Sequence, residues 1–241
     1  MERIELSKKD RVYRTVLWTV CELFCVASLV YALAKGEGTL QILMCFVTTL
    51  LVTAPFGLGR LLGFELNAVV FTFCIVYALG PILGYVYKLY YVTNWYDDIL
   101  HAAGGVAFAV LGVYLAKLAG GKSAPNVLLT ALFALFFSMA IALVWEFVEY
   151  GVDKIFHGDM QRDTIVSYID SYLLGGETGV IGRIEGITDA SVNGESLGLG
   201  GYIDIGLIDT MTDLLVETAG ATVFVVAYAI DRERHPLIFR R

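Results

Sequence analysis

Charge is the scarcest feature of this sequence. Asp, Glu, Lys and Arg make up 17% of its 241 residues, where a soluble domain carries about 25%. The charges that do occur are clustered, and they leave long blank stretches in a chain that is 57% hydrophobic. A soluble globular domain is excluded, and the chain is read as an integral membrane protein. Positive charge is rarer than negative, with 17 Lys and Arg against 24 Asp and Glu. The resulting net charge of -7 excludes nucleic acid as a partner. Cysteine is limited to Cys21, Cys25, Cys45 and Cys74, all inside apolar runs and with no CxxC. No disulfide framework is readable, and such thiols act as small apolar residues. A cleavable signal is also lacking. The apolar run after the charged stretch Met1 to Arg14 is too long for a signal-peptide core and has no small-x-small cleavage site, so it is read as a retained helix.

What is present is hydrophobic sequence in six runs, at residues 15–34, 39–58, 67–87, 98–118, 127–150 and 209–230. Each is about the 20 residues that a membrane-crossing helix needs. The expected fold is all-α: a single polytopic transmembrane helix bundle of about six spans. A long extracytoplasmic segment, 151–206, lies between spans five and six. Proline marks two of the runs, with Pro55 near the end of the second and Gly80-Pro81 as a kink in the third. The only charge in the first is Glu22, which would snorkel, be hydrogen-bonded, or serve a role.

Orientation follows from Lys and Arg. Six spans put both termini on one side. That side collects Arg3, Lys8, Lys9, Arg11, Arg14, Arg60, Lys117, Lys122, Arg232, Arg234, Arg240 and Arg241, twelve of the 17. Lys35, Lys88, Lys154, Arg162 and Arg183 fall on the other. Both termini are therefore expected in the cytoplasm. Tyr90, Tyr91, Trp95 and Tyr96 fit an aromatic belt at the outer interface.

Acids recur at matching ends of three spans. Trp145-Glu146-Phe147-Val148-Glu149 closes a run without charge that begins at Ser123, and Glu146 and Glu149 share a helix face. Asp97 and Asp98 precede His101, and Asp209 precedes Asp213 and Glu217. Counted at about 1.5 Å per residue, all three segments deliver their ionisable groups to one layer near the outer boundary. Asp97, Asp98 and Asp209 also suit ordinary helix caps, but His101, Asp213 and Glu217 sit deeper. Side by side near a bilayer these acids cannot all be ionised, so shared protons, a buried cation or a metal must compensate. The expected metal ligands are His101, Glu146, Glu149, Asp213, Asp98 and Asp209, with Asp97, Glu217 and Asp163 supporting them or passing protons. Carboxylates with one imidazole suit Mg²⁺, Mn²⁺, Fe²⁺, Ca²⁺ or Zn²⁺, and helical bundles build metal sites from such pairs. His157 in a loop and His235 in the basic tail read as solvated or inert.

Small residues support close helix approach. Gly105, Ala109, Gly112 and Ala116 line one face of span four, and Thr218, Ala219, Gly220 and Ala221 follow the acids of span six. In the outer segment, the apolar stripe Ile165, Tyr168, Ile169, Tyr172 and Leu173 predicts a short amphipathic helix over 164–174. Asn193-Gly194 in the glycine-rich stretch predicts a hairpin turn. A loop this long is read as a lid over the acidic layer, or else as a passive surface loop.

Several of these pieces resemble the YjdF-like family of bacterial inner-membrane proteins of unknown function. They are Tyr96-Asp97-Asp98-Ile99-Leu100-His101 with Gly104-Gly105, Ala142 to Tyr150, Met160-Gln161, and Gly206 to Leu215 continuing through Gly220-Ala221. The order of D-x-x-H, acid pair and final D…G also resembles VanZ-type proteins, which are associated with glycopeptide-antibiotic tolerance. That pattern has Asn before its last glycine, where this chain has Glu217. The resemblance implies a bacterial cytoplasmic (inner) membrane. The expected function is a metal-dependent membrane enzyme acting on a lipid or lipid-linked envelope substrate. Two rivals stand beside it: a proton- or cation-coupled transporter, and a non-catalytic envelope or stress factor with a structural metal.

Overall fold

The structure, a computed structural model, describes residues 7–62, 68–93, 95–120 and 126–231. Arg3, Lys122, Arg232, Arg234, Arg240, Arg241 and His235, used in the readings above, lie outside the described residues, as does residue 67 at the predicted start of span three. Among the described residues, seven α-helices run in chain order: α1 Lys8–Lys35, α2 Thr39–Leu62, α3 Ala68–Ala78, α4 Leu89–Val92, α5 Tyr96–Gly120, α6 Val127–Phe156 and α7 Leu207–Asp231. Six segments of the described residues are long and apolar enough to cross a membrane: Lys8–Lys35, Thr39–Gly57, Ala68–Val86, Tyr96–Gly120, Val127–Phe156 and Leu207–Ile230. They match the six expected spans, and the fold is all-α and polytopic. The chain forms two compact units, residues 1–144 with 214–241 and residues 145–213.

In the first unit, α1 begins a full two turns before its apolar run. Ser7 caps it by accepting from the Asp10 backbone N–H, and nothing between Lys8 and Arg14 breaks a helix. Hydrophobicity marks where the helix meets lipid, not where it starts. Glu22 takes the hydrogen-bonded option: Thr53 Oγ1 donates to it at 2.8 Å, and Trp18 Nε1 donates to Thr53 at 3.3 Å. Cys21, Cys25 and Cys45 are free thiols buried in an apolar core with Val52, Phe71, Ile75 and Ile82. Pro55 lies inside α2 without ending it. The third span breaks where Gly80-Pro81 predicts, since α3 stops at Ala78 and a π-helical turn follows over Ile82–Val86. Tyr96 donates its hydroxyl to the Gly80 carbonyl at 3.1 Å, covering an acceptor at the break.

Helices α5 and α7 touch backbone to backbone. A Cβ on Gly105 would lie 2.1 Å from the Glu217 carbonyl oxygen, and one on Gly220 would lie 2.3 Å from that of Ala102. Only glycine fits at either place. Further along α5, Gly112 faces Ala134 of α6. The stripe of small residues is thus a packing seam, and Gly105, Ala109, Gly112 and Ala116 are all buried. Helix α7 buries Asp213, Glu217, Ala221 and Val225, a four-residue repeat that continues an apolar face directly into acids.

In the second unit, the segment between α6 and α7 folds as three antiparallel two-stranded pairs. β1 Ile165–Val166 pairs with β6 Tyr202–Ile203, β2 Tyr168–Ser171 with β3 Gly182–Glu185, and β4 Ser191–Val192 with β5 Glu195–Ser196. The helix expected over 164–174 is therefore absent: two strands and a single 3-10 turn, Tyr172–Leu174, occupy those residues. The β-branched residues Thr164, Ile165, Val166 and Ile169 favour extended backbone. Arg183 then reaches across the β2–β3 pair to Asp170 at 2.5 and 2.8 Å, and to Glu185 at 3.0 Å. Those hydrogen bonds hold the Asp170 carboxyl below the usual carboxylate range. The turn expected at Asn193-Gly194 is present, both residues having positive φ (54° and 88°) between β4 and β5.

Candidate functional site

Three buried carboxylates converge in the 145–213 unit. Glu146 and Glu149 come from the C-terminal half of α6, and Asp213 from the second turn of α7. Each offers one oxygen, and the three oxygens lie within 4.8 Å of one another. All three side chains are buried, at 3%, 6% and 2% exposure. Trp145 orients one of them, its indole N–H donating to Glu149 Oε1 at 2.8 Å. The spacing follows from helix geometry: residues three apart on α6 share the buried stripe that carries Thr130, Ala134, Ser138 and Ala142 below them. Three acids this close and this dry repel one another unless a cation or protons sit among them. An all-oxygen donor set fits a hard divalent ion such as Mg²⁺, Mn²⁺ or Ca²⁺.

A second constellation lies in the other unit. His101 Nε2 stands 3.5 Å from Asp97 Oδ1, one turn back on α5, and Nδ1 stands 3.6 Å from Glu217 Oε2 on α7. The glycine seam makes this possible, because Gly105 sits one turn beyond His101 and lets Glu217 approach. Ser138 donates to the Gly105 carbonyl at 3.1 Å and lies 3.5 Å from Glu217 Oε1. Tyr77 closes the other side, its hydroxyl 2.6 Å from where a Cβ on Gly104 would be. An imidazole between two carboxylates can bind and pass a proton along either ring nitrogen.

The remaining expected residues are distributed differently. Asp209 accepts from the Arg162 backbone N–H at 2.9 Å and from its guanidinium at 3.3 Å. Asp98 is half-buried in the first turn of α5. Asp163 is exposed, its carboxyl pushed up by desolvation and then by Asp204 and Asp153. His157 is exposed, as expected for a solvated loop residue. Sequence reasoning missed Ser138, Tyr77, the role of Trp145, and Asp153, which accepts from the Met160 and Gln161 backbone N–H groups. Only Asp153 carries a signal that could have been found, being an acid four residues beyond Glu149.

A family of predicted membrane proteins, DUF2238, matches residues 16–234. The chain belongs to the DUF2238 family. The match begins within the first span, runs through the sixth, and includes the residues of both acidic constellations. No curated protein and no solved structure matches the chain.

Proposed function

We propose that this DUF2238 protein is a divalent-metal-dependent membrane enzyme. Glu146, Glu149 and Asp213 would hold the ion, and a lipid or lipid-linked envelope substrate would reach it from the surrounding membrane. The observation that carries the reading is the convergence of three buried carboxylate oxygens within 4.8 Å. A bound ion would activate water or polarise a phosphoryl or carbonyl oxygen. His101, between Asp97 and Glu217, would serve as a proton carrier. The Lys and Arg asymmetry supports an outward-facing 151–206 segment. The YjdF-like resemblance supports a bacterial inner membrane, and the VanZ-type resemblance an envelope role. A proton- or cation-coupled transporter is the second reading, favoured by the placement of His101 between Asp97 and Glu217.

Metal analysis of detergent-purified protein tests the first reading, with one divalent ion per chain as the expected result. Hydrolysis of a lipid or lipid-linked substrate by that preparation, lost on chelation, would complete the case. A metal-free preparation that moves protons or cations in liposomes would replace the enzyme with the transporter.

A further inference from the structure

Each helix that supplies the carboxylate trio carries a further acid, an aspartate, one turn away on the same face. Asp153 follows Glu149 by four residues on α6, and Asp209 precedes Asp213 by four on α7. Both are gripped by one short segment. The Met160 and Gln161 backbone N–H groups donate to the two oxygens of Asp153, at 2.7 and 2.9 Å. The Arg162 backbone N–H and guanidinium donate to Asp209, and the Gln161 side-chain amide donates to Thr210 Oγ1 at 2.5 Å. Met160 is itself buried, at 2% exposure. Asp204 adds a second tie, accepting from the Thr164 and Ile208 backbone N–H groups at 2.7 Å each. Gly206, at φ +79°, lets the chain pass against Gln161, where a Cβ would lie 2.7 Å from its carbonyl oxygen. Residues 157–206 separate the two helices in sequence, so no short connection fixes their spacing.

We infer that Met160-Gln161-Arg162 is a strut that sets the distance between Glu149 and Asp213. Asp153, Arg162 and Asp209 are then positioning residues that govern the trio's affinity for its cation without touching it. The inference rests on the metal reading above. It also carries a selectivity consequence. Mg²⁺ and Mn²⁺ demand tight octahedral geometry, whereas Ca²⁺ accepts longer and more variable distances. A loosened strut should therefore penalise the smaller ions more.

Titration of the full-length purified protein with Mn²⁺, and separately with Ca²⁺, tests this. Asp209→Asn and Asp153→Asn are each expected to weaken Mn²⁺ binding about tenfold or more, as outer contacts to metal ligands commonly do, with a smaller loss for Ca²⁺. Asp170→Asn breaks an ion pair in the same segment without touching the strut, and should leave both affinities unchanged. If the aspartate variants do not fold, Arg162→Ala, which keeps the backbone donor, decides in their place. Strut variants that retain wild-type Mn²⁺ affinity, or an Asp170→Asn loss of equal size, would overturn the strut alone. A wild-type protein that binds neither ion would remove the metal reading, and the strut's role with it.

Discussion

At the residue scale, the trio of Glu146, Glu149 and Asp213 makes a prediction that separates metal from protons. If an ion holds three buried carboxylates together, removing it leaves them repelling one another in a dry layer. Metal binding free energy then contributes to the folded state, and chelator should lower the melting temperature of the wild type. Glu149→Gln with Asp213→Asn should lower metal occupancy, yet leave the apoprotein no less stable than wild-type apoprotein, because it relieves that repulsion. Melting curves with and without chelator at two pH values decide the matter. A proton-only cluster gives curves that ignore chelator and rise in stability as pH falls. The acids themselves were legible in the sequence, because depth along a helix can be counted from its apolar run. Their partners were not: counting gives no account of rotation between helices. It could not show that His101 turns both nitrogens to Asp97 and Glu217, or that Asp209 is committed to Arg162.

At the scale of elements, the α5–α7 seam is what brings His101 of α5 beside Glu217 of α7. Gly105 and Gly220 face each other's helix backbones, so a methyl at either must push the helices apart. Gly105→Ala and Gly220→Ala are each expected to destabilise by about 1–3 kcal/mol, the usual range for overpacking. The same change at Gly151, where a Cβ meets nothing within 4 Å, should be neutral or mildly stabilising in its helix. Thermal unfolding in detergent reads all three. Equal effects at Gly105 and Gly151 would show that the seam is not close-packed. The spans and this seam were legible because membrane helices announce themselves by length, apolarity and small-residue spacing. The segment 164–174 was not. Its stripe of Ile165, Tyr168, Ile169, Tyr172 and Leu173 satisfies a helical period, yet Tyr168–Ser171 pairs with Gly182–Glu185, more than ten residues on. A local period cannot register a partner that distant, whereas Asn193-Gly194, whose hairpin closes on itself, was read correctly.

At the scale of the whole molecule, cations set which way the chain faces. Twelve of the 17 Lys and Arg fall on the side of the termini, and it is Lys and Arg near span ends that govern insertion. Of the five assigned to the other side, Lys88 pairs with Glu37 at 3.4 Å, Arg162 with Asp209 at 3.3 Å, and Arg183 with Asp170 and Glu185. Those cations are committed to contacts within the fold. Both termini are therefore expected in the cytoplasm and the β4–β5 hairpin outside. Ser191→Cys in the exposed β4 strand supplies a reporter. The background is quiet, because Cys21, Cys25 and Cys45 are buried and the half-buried Cys74 can be changed to Ser. A membrane-impermeant maleimide should label the variant in intact cells. Labelling that appears only after the membrane is opened would reverse the orientation. The carboxylate trio would survive that reversal, since its geometry does not depend on which way the chain inserts. Its substrate would then have to come from the inner leaflet or the cytoplasm rather than from the envelope.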